Sequence, residues 1–211
     1  MRKNLLKQLT LALLMLVAVP YAKSQVAHVG DILCTSGVYV SPAEFDDSGL
    51  EAMGVIFYVD ATGQHGWAVA LEDAGCYIWS NGTFDTPLPD YHPVRAAIYD
   101  LDGLFNTAEI LNWDAPSSYS FPAFEALDVA NGWYLPAIGQ LNYLYGNLIE
   151  VNTGLTVAGG TLFDMTGSWQ YWSSTETQNS NNVWTLNSTG KIDGRRKDST
   201  PCITVRGVRN F

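Results

Sequence analysis

Gly132-Trp133-Tyr134-Leu135-Pro136 and, further on, Tyr171-Trp172-Ser173-Ser174-Thr175 frame the part of this 211-residue chain whose reading decides the fold. Pro136 is preorganised for a first helical turn, and Ile138, Leu141, Leu144, Tyr145, Leu148 and Ile149 follow on one face. Asn152-Thr153-Gly154 is expected to end that helix. Beyond Gly159-Gly160 the period drops to two. Val183 to Asn187, a Ser188-Thr189-Gly190 turn, Lys191 to Asp193 and Ile203 to Val208 read as short antiparallel strands. Between Trp172 and Val183 the pattern lapses: eight of the ten residues from Ser173 to Asn182 are Ser, Thr or Asn. Such a segment has little to bury, so it is predicted to stay outside as a contact loop.

Upstream, Gly54 to Asp60 and Trp67 to Leu71 are β-rich runs joined by a glycine-bearing turn, which predicts a hairpin. Residues 94–111 have helical spacing broken at Gly103, so one broken helix or two short ones fit. A further helix is expected from Pro122 to Ala130, stopping at Asn131-Gly132. Together these predict an α+β fold with short antiparallel strands, two or three helices and long irregular loops. With 47% hydrophobic and 15% charged residues, disorder is excluded, and the nineteen glycines disfavour a coiled coil. No repeat or linker divides the chain, so residues 25–211 are expected to form one domain.

Residues 1–24 read as an export signal: Arg2, Lys3 and Lys7, an apolar run from Leu9 to Val19, and Ala22-Lys23-Ser24 before the cut. No later stretch reads as a transmembrane helix, so an exported, extracytoplasmic, surface or secreted protein is expected. Removal of the leader leaves seven basic against twenty-one acidic residues, a net charge of −14, which makes nucleic acid an unsuitable partner. Six of those seven (Lys191, Arg195, Arg196, Lys197, Arg206 and Arg209) lie near the C-terminus, and Arg95 alone serves residues 25–190. Arg206 and Arg209 are expected to pair within the fold, and Arg195, Arg196 and Lys197 to lie solvated in a turn. Three cysteines, Cys34, Cys76 and Cys202, allow one disulfide by any of three pairings.

Catalytic signatures do not occur: His28, His65 and His92 stand apart, without a serine elbow, zinc helix or phosphate loop. Asp100-Leu-Asp102-Gly103 begins like a calcium loop but offers Leu104 and Leu111 where oxygen ligands are needed. No metal, cofactor or enzymatic activity is therefore expected. The tryptophan block with its closing Val205-Arg-Gly-Val-Arg209 resembles the C-terminal domain of bacterial collagen-like surface adhesins, a family of unknown function. That resemblance implies a C-type-lectin-like fold, shared with formylglycine-generating enzymes and retroelement-diversified receptor proteins, with Trp133, Trp172 and Trp184 internal. It also implies an adhesin-like module that binds a protein or glycan ligand through irregular loops; the alternatives are an oxidase-related enzyme or a structural subunit of a surface fibre. The expected ligand-binding residues are Thr177, Gln178, Asn179, Asn181 and Asn182 in the polar segment, with Arg195 and Arg196 forking together onto an anion.

Overall fold

β-Branched and aromatic residues suit the pleated surface of a strand, and the run Ala52–Val59 (β3) pairs with Gly66–Ala70 (β4) as the expected hairpin. Asp60 stabilises its turn by accepting from the Thr62 amide and hydroxyl. Around it the chain builds a five-stranded antiparallel sheet in the order β11 (Val208–Asn210), β4, β3, β1 (Ile32–Cys34), β2 (Tyr39–Val40). A computed structural model describes residues 26–201 and 203–211; the expected leader and Cys202 lie outside the described residues. The second sheet runs β5 (Gly75–Tyr77), β10 (Ile203–Val205), β7 (Gln170–Thr177), β8 (Asn182–Asn187), β9 (Ile192–Arg196), and β6 (Asp90–Tyr91) lies parallel to the far end of β7.

The described residues hold six α-helices: α1 (Pro42–Ser48), α2 (Val94–Ala97), α3 (Gly103–Asn112), α4 (Pro122–Glu125), α5 (Ile138–Gly146) and α6 (Leu148–Ala158). The fold is α+β. The long amphipathic run is two helices rather than one, because Asn147 leaves the helical path and donates to Phe57 O at 3.0 Å. Asn152-Thr-Gly154 does not end it either. Asn152 instead brackets Phe163 with both amide atoms, and Gly154 is a packing glycine: a Cβ there would stand 2.5 Å from Gly30 O. Termination falls at Gly159, whose φ of +74° is the left-handed conformation that glycine adopts without penalty. Helices α5 and α6 pack Leu141, Leu144, Leu148, Val151 and Leu155 against Val55, Phe57, Tyr171 and Trp184 of the two sheets.

The largest departure from the sequence reading concerns Ser173 to Thr177, which is not a loop. These residues complete β7, and all five are buried. Their hydroxyls are satisfied because they bond the loose ends of neighbouring elements. The Ser173 hydroxyl donates to Trp184 O at 2.6 Å, and the Thr175 hydroxyl donates to Asp100 Oδ2 at 2.7 Å while accepting from the Ile138 amide at 2.8 Å. Asn106 Nδ2 bridges Asp100 Oδ2 and the Ser174 hydroxyl, at 2.9 and 3.1 Å. Gln140 closes the set, accepting at Oε1 from the Ala137 and Gly103 amides and donating to Tyr134 Oη. Asp100 is thus a structural acceptor for α3 and β7.

Trp172 and Trp184 are internal as expected, whereas Trp133 is half-buried beneath the Arg209 guanidinium, 5.5 Å from its ring. Arg206 is buried, donating to Ala70 O and Leu71 O and facing Asp73 at 3.6 Å. Among the described residues Arg209 meets no carboxylate, and it rests on Trp133 and Met53. Cys34 is a buried free thiol and Cys76 is disulfide-bonded.

Substitution of Thr175→Val keeps the shape but strips Ile138 N–H and Asp100 of a partner, and should cost about 2–3 kcal/mol in urea unfolding. Burial also holds the Tyr134 and Tyr171 hydroxyls well above the ordinary tyrosine range. A hydroxyl raised in the folded state stabilises fully below the unfolded pKa of about 10, and that contribution fades as pH climbs toward the folded value. Stability should therefore fall above about pH 10, and an absorbance titration should show these two tyrosines ionising only as the protein unfolds.

Candidate functional site

The β7–β8 connection is a tight turn that the sequence folds onto itself. Thr177 Oγ1 donates to Asn179 O at 2.9 Å and accepts from Asn179 N at 3.1 Å. Asn179 Oδ1 accepts from the Asn181 amide, and the Asn182 amide returns to Asn179 O. The turn is anchored from the end of the neighbouring strand β9, where the Lys197 amide donates to Asn181 O at 3.0 Å.

Beside this turn opens a shallow cleft of about 450 Å³, lined by His92, Thr177, Gln178, Asn179, Asn182, Trp184, Asp193 and Gly194. Trp184 forms its floor. The ring is 8% exposed, and its Nε1 donates to Tyr91 O at 3.1 Å, which fixes the indole and also holds the β6 segment that carries His92. Trp184 is opposite Gly194 in the β8–β9 register. Because glycine puts no side chain there, the indole edge stays reachable. A Cβ at Gly194 would meet only Thr177 Cγ2 at 3.6 Å, an ordinary contact, so the position is open. Amides from Gln178 and Asn182 and the His92 imidazole can donate to or accept from a hydroxyl-bearing or peptide-like ligand lying on an aromatic edge, while the Asp193 carboxylate accepts from Lys191 at 3.1 Å.

Four of the seven residues expected from the sequence (Thr177, Gln178, Asn179 and Asn182) therefore share one cleft, although Thr177 is buried. Asn181 does not line it and serves the turn through its backbone carbonyl, which accepts from the Lys197 amide. The paired arginines do not act together: Arg195 and Arg196 are consecutive residues of β9, so their side chains leave opposite faces of the sheet. Arg196 is engaged by Asp198 through two 3.0 Å hydrogen bonds. Arg195 lies 3.7 Å from Asp193 and lines a separate, wider depression of about 620 Å³ with Gln170, Asn187, Thr189 and Thr204. His92, Asp193 and Gly194 were missed by the sequence reading, and Trp184 was read as core alone. The only available signal was the alternation that pairs Trp184 with its β9 neighbour.

Lys197 is not solvated. It is fully buried with Glu176 beneath the turn, in a salt bridge whose ammonium also donates to Phe84 O and lies 4.9 Å from the centre of the Trp79 ring. The Glu176 Oε1 atom accepts from Lys197 and from the Thr86 hydroxyl, and Oε2 has no hydrogen-bond partner. Burial pushes the Glu176 carboxyl up and the Lys197 ammonium down, and each charge opposes the shift of the other.

No family model matches the chain, and no curated protein does. Among solved structures, a fimbrial protein from Bacteroides ovatus shares the fold with a TM-score of 0.63 at 18% sequence identity. The match covers 87% of this chain and 49% of that one, so the chain spans about half the length of its structural neighbour. At this identity the likeness is one of fold. No helix of the described residues is long and apolar enough to cross a membrane.

Lys197→Met leaves Glu176 charged and unpaired in the interior, and should cost about 3–5 kcal/mol, whereas Lys197→Met with Glu176→Leu should cost markedly less. A double-mutant cycle from chemical unfolding reads both the cost and the coupling.

Proposed function

We propose that the exported chain is a non-enzymatic surface recognition module of the C-type-lectin-like kind, and that the cleft over Trp184 holds its protein or glycan ligand. The observation carrying this reading is the conjunction of a preformed turn with an open aromatic floor. The side-chain amides of Gln178 and Asn182 make no hydrogen bond within the described residues, so they are available to a ligand. Because the turn is held by its own bonds and by Lys197, little ordering entropy is lost when a ligand binds. The fold shared with a fimbrial protein supports a surface setting. It equally supports a structural subunit of a surface fibre, a reading in which the cleft would be incidental.

The test is a glycan and protein array probed with the exported chain, followed by affinity measurement on each hit. Gly194→Val fills the cleft where the backbone has room, so it should abolish binding and leave the unfolding midpoint within about 0.5 kcal/mol of wild type. Gln178→Ala with Asn182→Ala should weaken binding about tenfold or more, and Arg196→Ala should leave it unchanged because that guanidinium serves Asp198. A hit that Gly194→Val does not disturb would place recognition elsewhere. Long polymers of wild type in light scattering, without any array hit, would favour the fibre subunit.

A further inference from the structure

Helix α3 is turned inside out with respect to polarity. Its buried positions are Gly103, Asn106, Thr107 and Ile110, while Leu104, Phe105, Ala108 and Leu111 face water. With Tyr99 and Leu101 just before the helix, five large apolar side chains between 37% and 79% exposed stand on one side of the molecule. The cause is local: Asn106 and Thr107 must face inward, the first to serve Asp100 and Ser174, the second to accept from the Leu135 amide at 3.1 Å. Positions 104, 108 and 111 share a helical stripe with Phe105 beside Leu104, so the apolar residues of α3 form one strip, and Tyr99 and Leu101 lead into its start. A contiguous apolar patch of this kind on a polar protein marks an interaction surface.

The charges around the strip indicate what covers it. Arg95, the only basic residue between positions 25 and 190, is exposed one helical turn before Tyr99 and makes no salt bridge within the described residues. Glu109 borders the strip on α3, and Asp102, whose Oδ1 caps the helix by accepting from the Phe105 amide, stands at its start. A surface carrying a lone cation at one end and carboxylates along its length is complementary to itself under a two-fold axis, where each Arg95 meets the acidic border of the other copy. A membrane is a poor alternative, since a helix seated at a bilayer surface is flanked by several Lys or Arg. We propose that two copies of this chain pair through their α3 faces, with Tyr99, Leu101, Leu104, Phe105 and Leu111 at the centre of the contact. The pairing is independent of the ligand cleft, which is built from β6 to β9.

Sedimentation velocity of the exported chain over a concentration series tests this. A dimer with a dissociation constant on the order of 10 μM is expected. Leu104→Glu with Phe105→Glu should yield a monomer with unchanged far-ultraviolet circular dichroism. If that variant folds poorly, Leu111→Lys on the same strip provides the same reading. Arg95→Glu should weaken the dimer about tenfold. Wild type that stays monomeric throughout, or dimers that these variants leave intact, would overturn the proposal, as would a monomer that binds zwitterionic lipid vesicles through the strip.

Discussion

The carboxylate of Asp100, 5% exposed, takes hydrogen bonds from the Asp102 amide, the Asn106 side chain and the Thr175 hydroxyl, which belong to three different parts of the chain. An unpaired charge at such depth would be prohibitive, so the structure closes around this group only when the α2–α3 junction, α3 and β7 are all in place. Its backbone carbonyl adds the Gly139 amide at the start of α5, which brings the central helix into the same lock. A Cβ on Gly139 would come within 2.4 Å of the carbonyls of Ile98 and Asp100, so only glycine allows this approach. Partly formed, such a network is worse than an apolar core; complete, it specifies one arrangement.

This explains which parts of the fold were legible in the sequence. The stripe through Leu141, Leu144 and Leu148 and the hairpin strand read as Gly54 to Asp60 rest on apolar periodicity, which needs no knowledge of partners; the hairpin formed and those leucines are buried, although the run is split at Asn147, continues past Gly154 and leaves Ile149 exposed. Ser173 to Thr177 were misread because hydroxyls in a row look solvated until their partners are known, and Asp100, Asn106 and Pro136 are remote in sequence. Lys197 failed for the same reason: its counter-ion Glu176 is fixed only by the pairing of β7, β8 and β9. The site followed suit. Thr177, Gln178, Asn179 and Asn182 come together because they flank one turn, whereas His92 and Gly194 enter through sheet register, which composition does not carry.

The cleft and the frame are built from the same residues. Trp184 packs among Leu144, Tyr171 and Leu186 and at the same time presents its edge to solvent beside His92. A floor set this firmly cannot adjust to a ligand, so any selectivity of the cleft must lie in its rim of amides and imidazole. The buried Lys197–Glu176 pair reinforces that rigidity from below, since the same residue whose side chain neutralises Glu176 holds the turn through its backbone. Buried ion pairs contribute little net stability compared with apolar residues of the same shape, but they tolerate few alternative geometries. Placed under the β7–β8 turn, that intolerance fixes the shape of the turn.

The polar lock also has an external consequence. A ten-residue helix has two faces, and α3 spends its inward one on Asn106 and Thr107 because the Asp100 network demands them there. Rotating the helix to bury Leu104 and Phe105 would take the Asn106 hydrogen bond from Asp100 and Ser174 and leave the Leu135 amide without its acceptor, at a cost of several kcal/mol. Leaving two or three large apolar side chains in water forgoes a comparable amount, about 1.5–3 kcal/mol for each that is not fully buried. An isolated chain has to accept one of these losses. A second copy placed against the strip removes the second loss without touching the network, so the apolar face of α3 follows from the way the core is held rather than from an accident of surface composition.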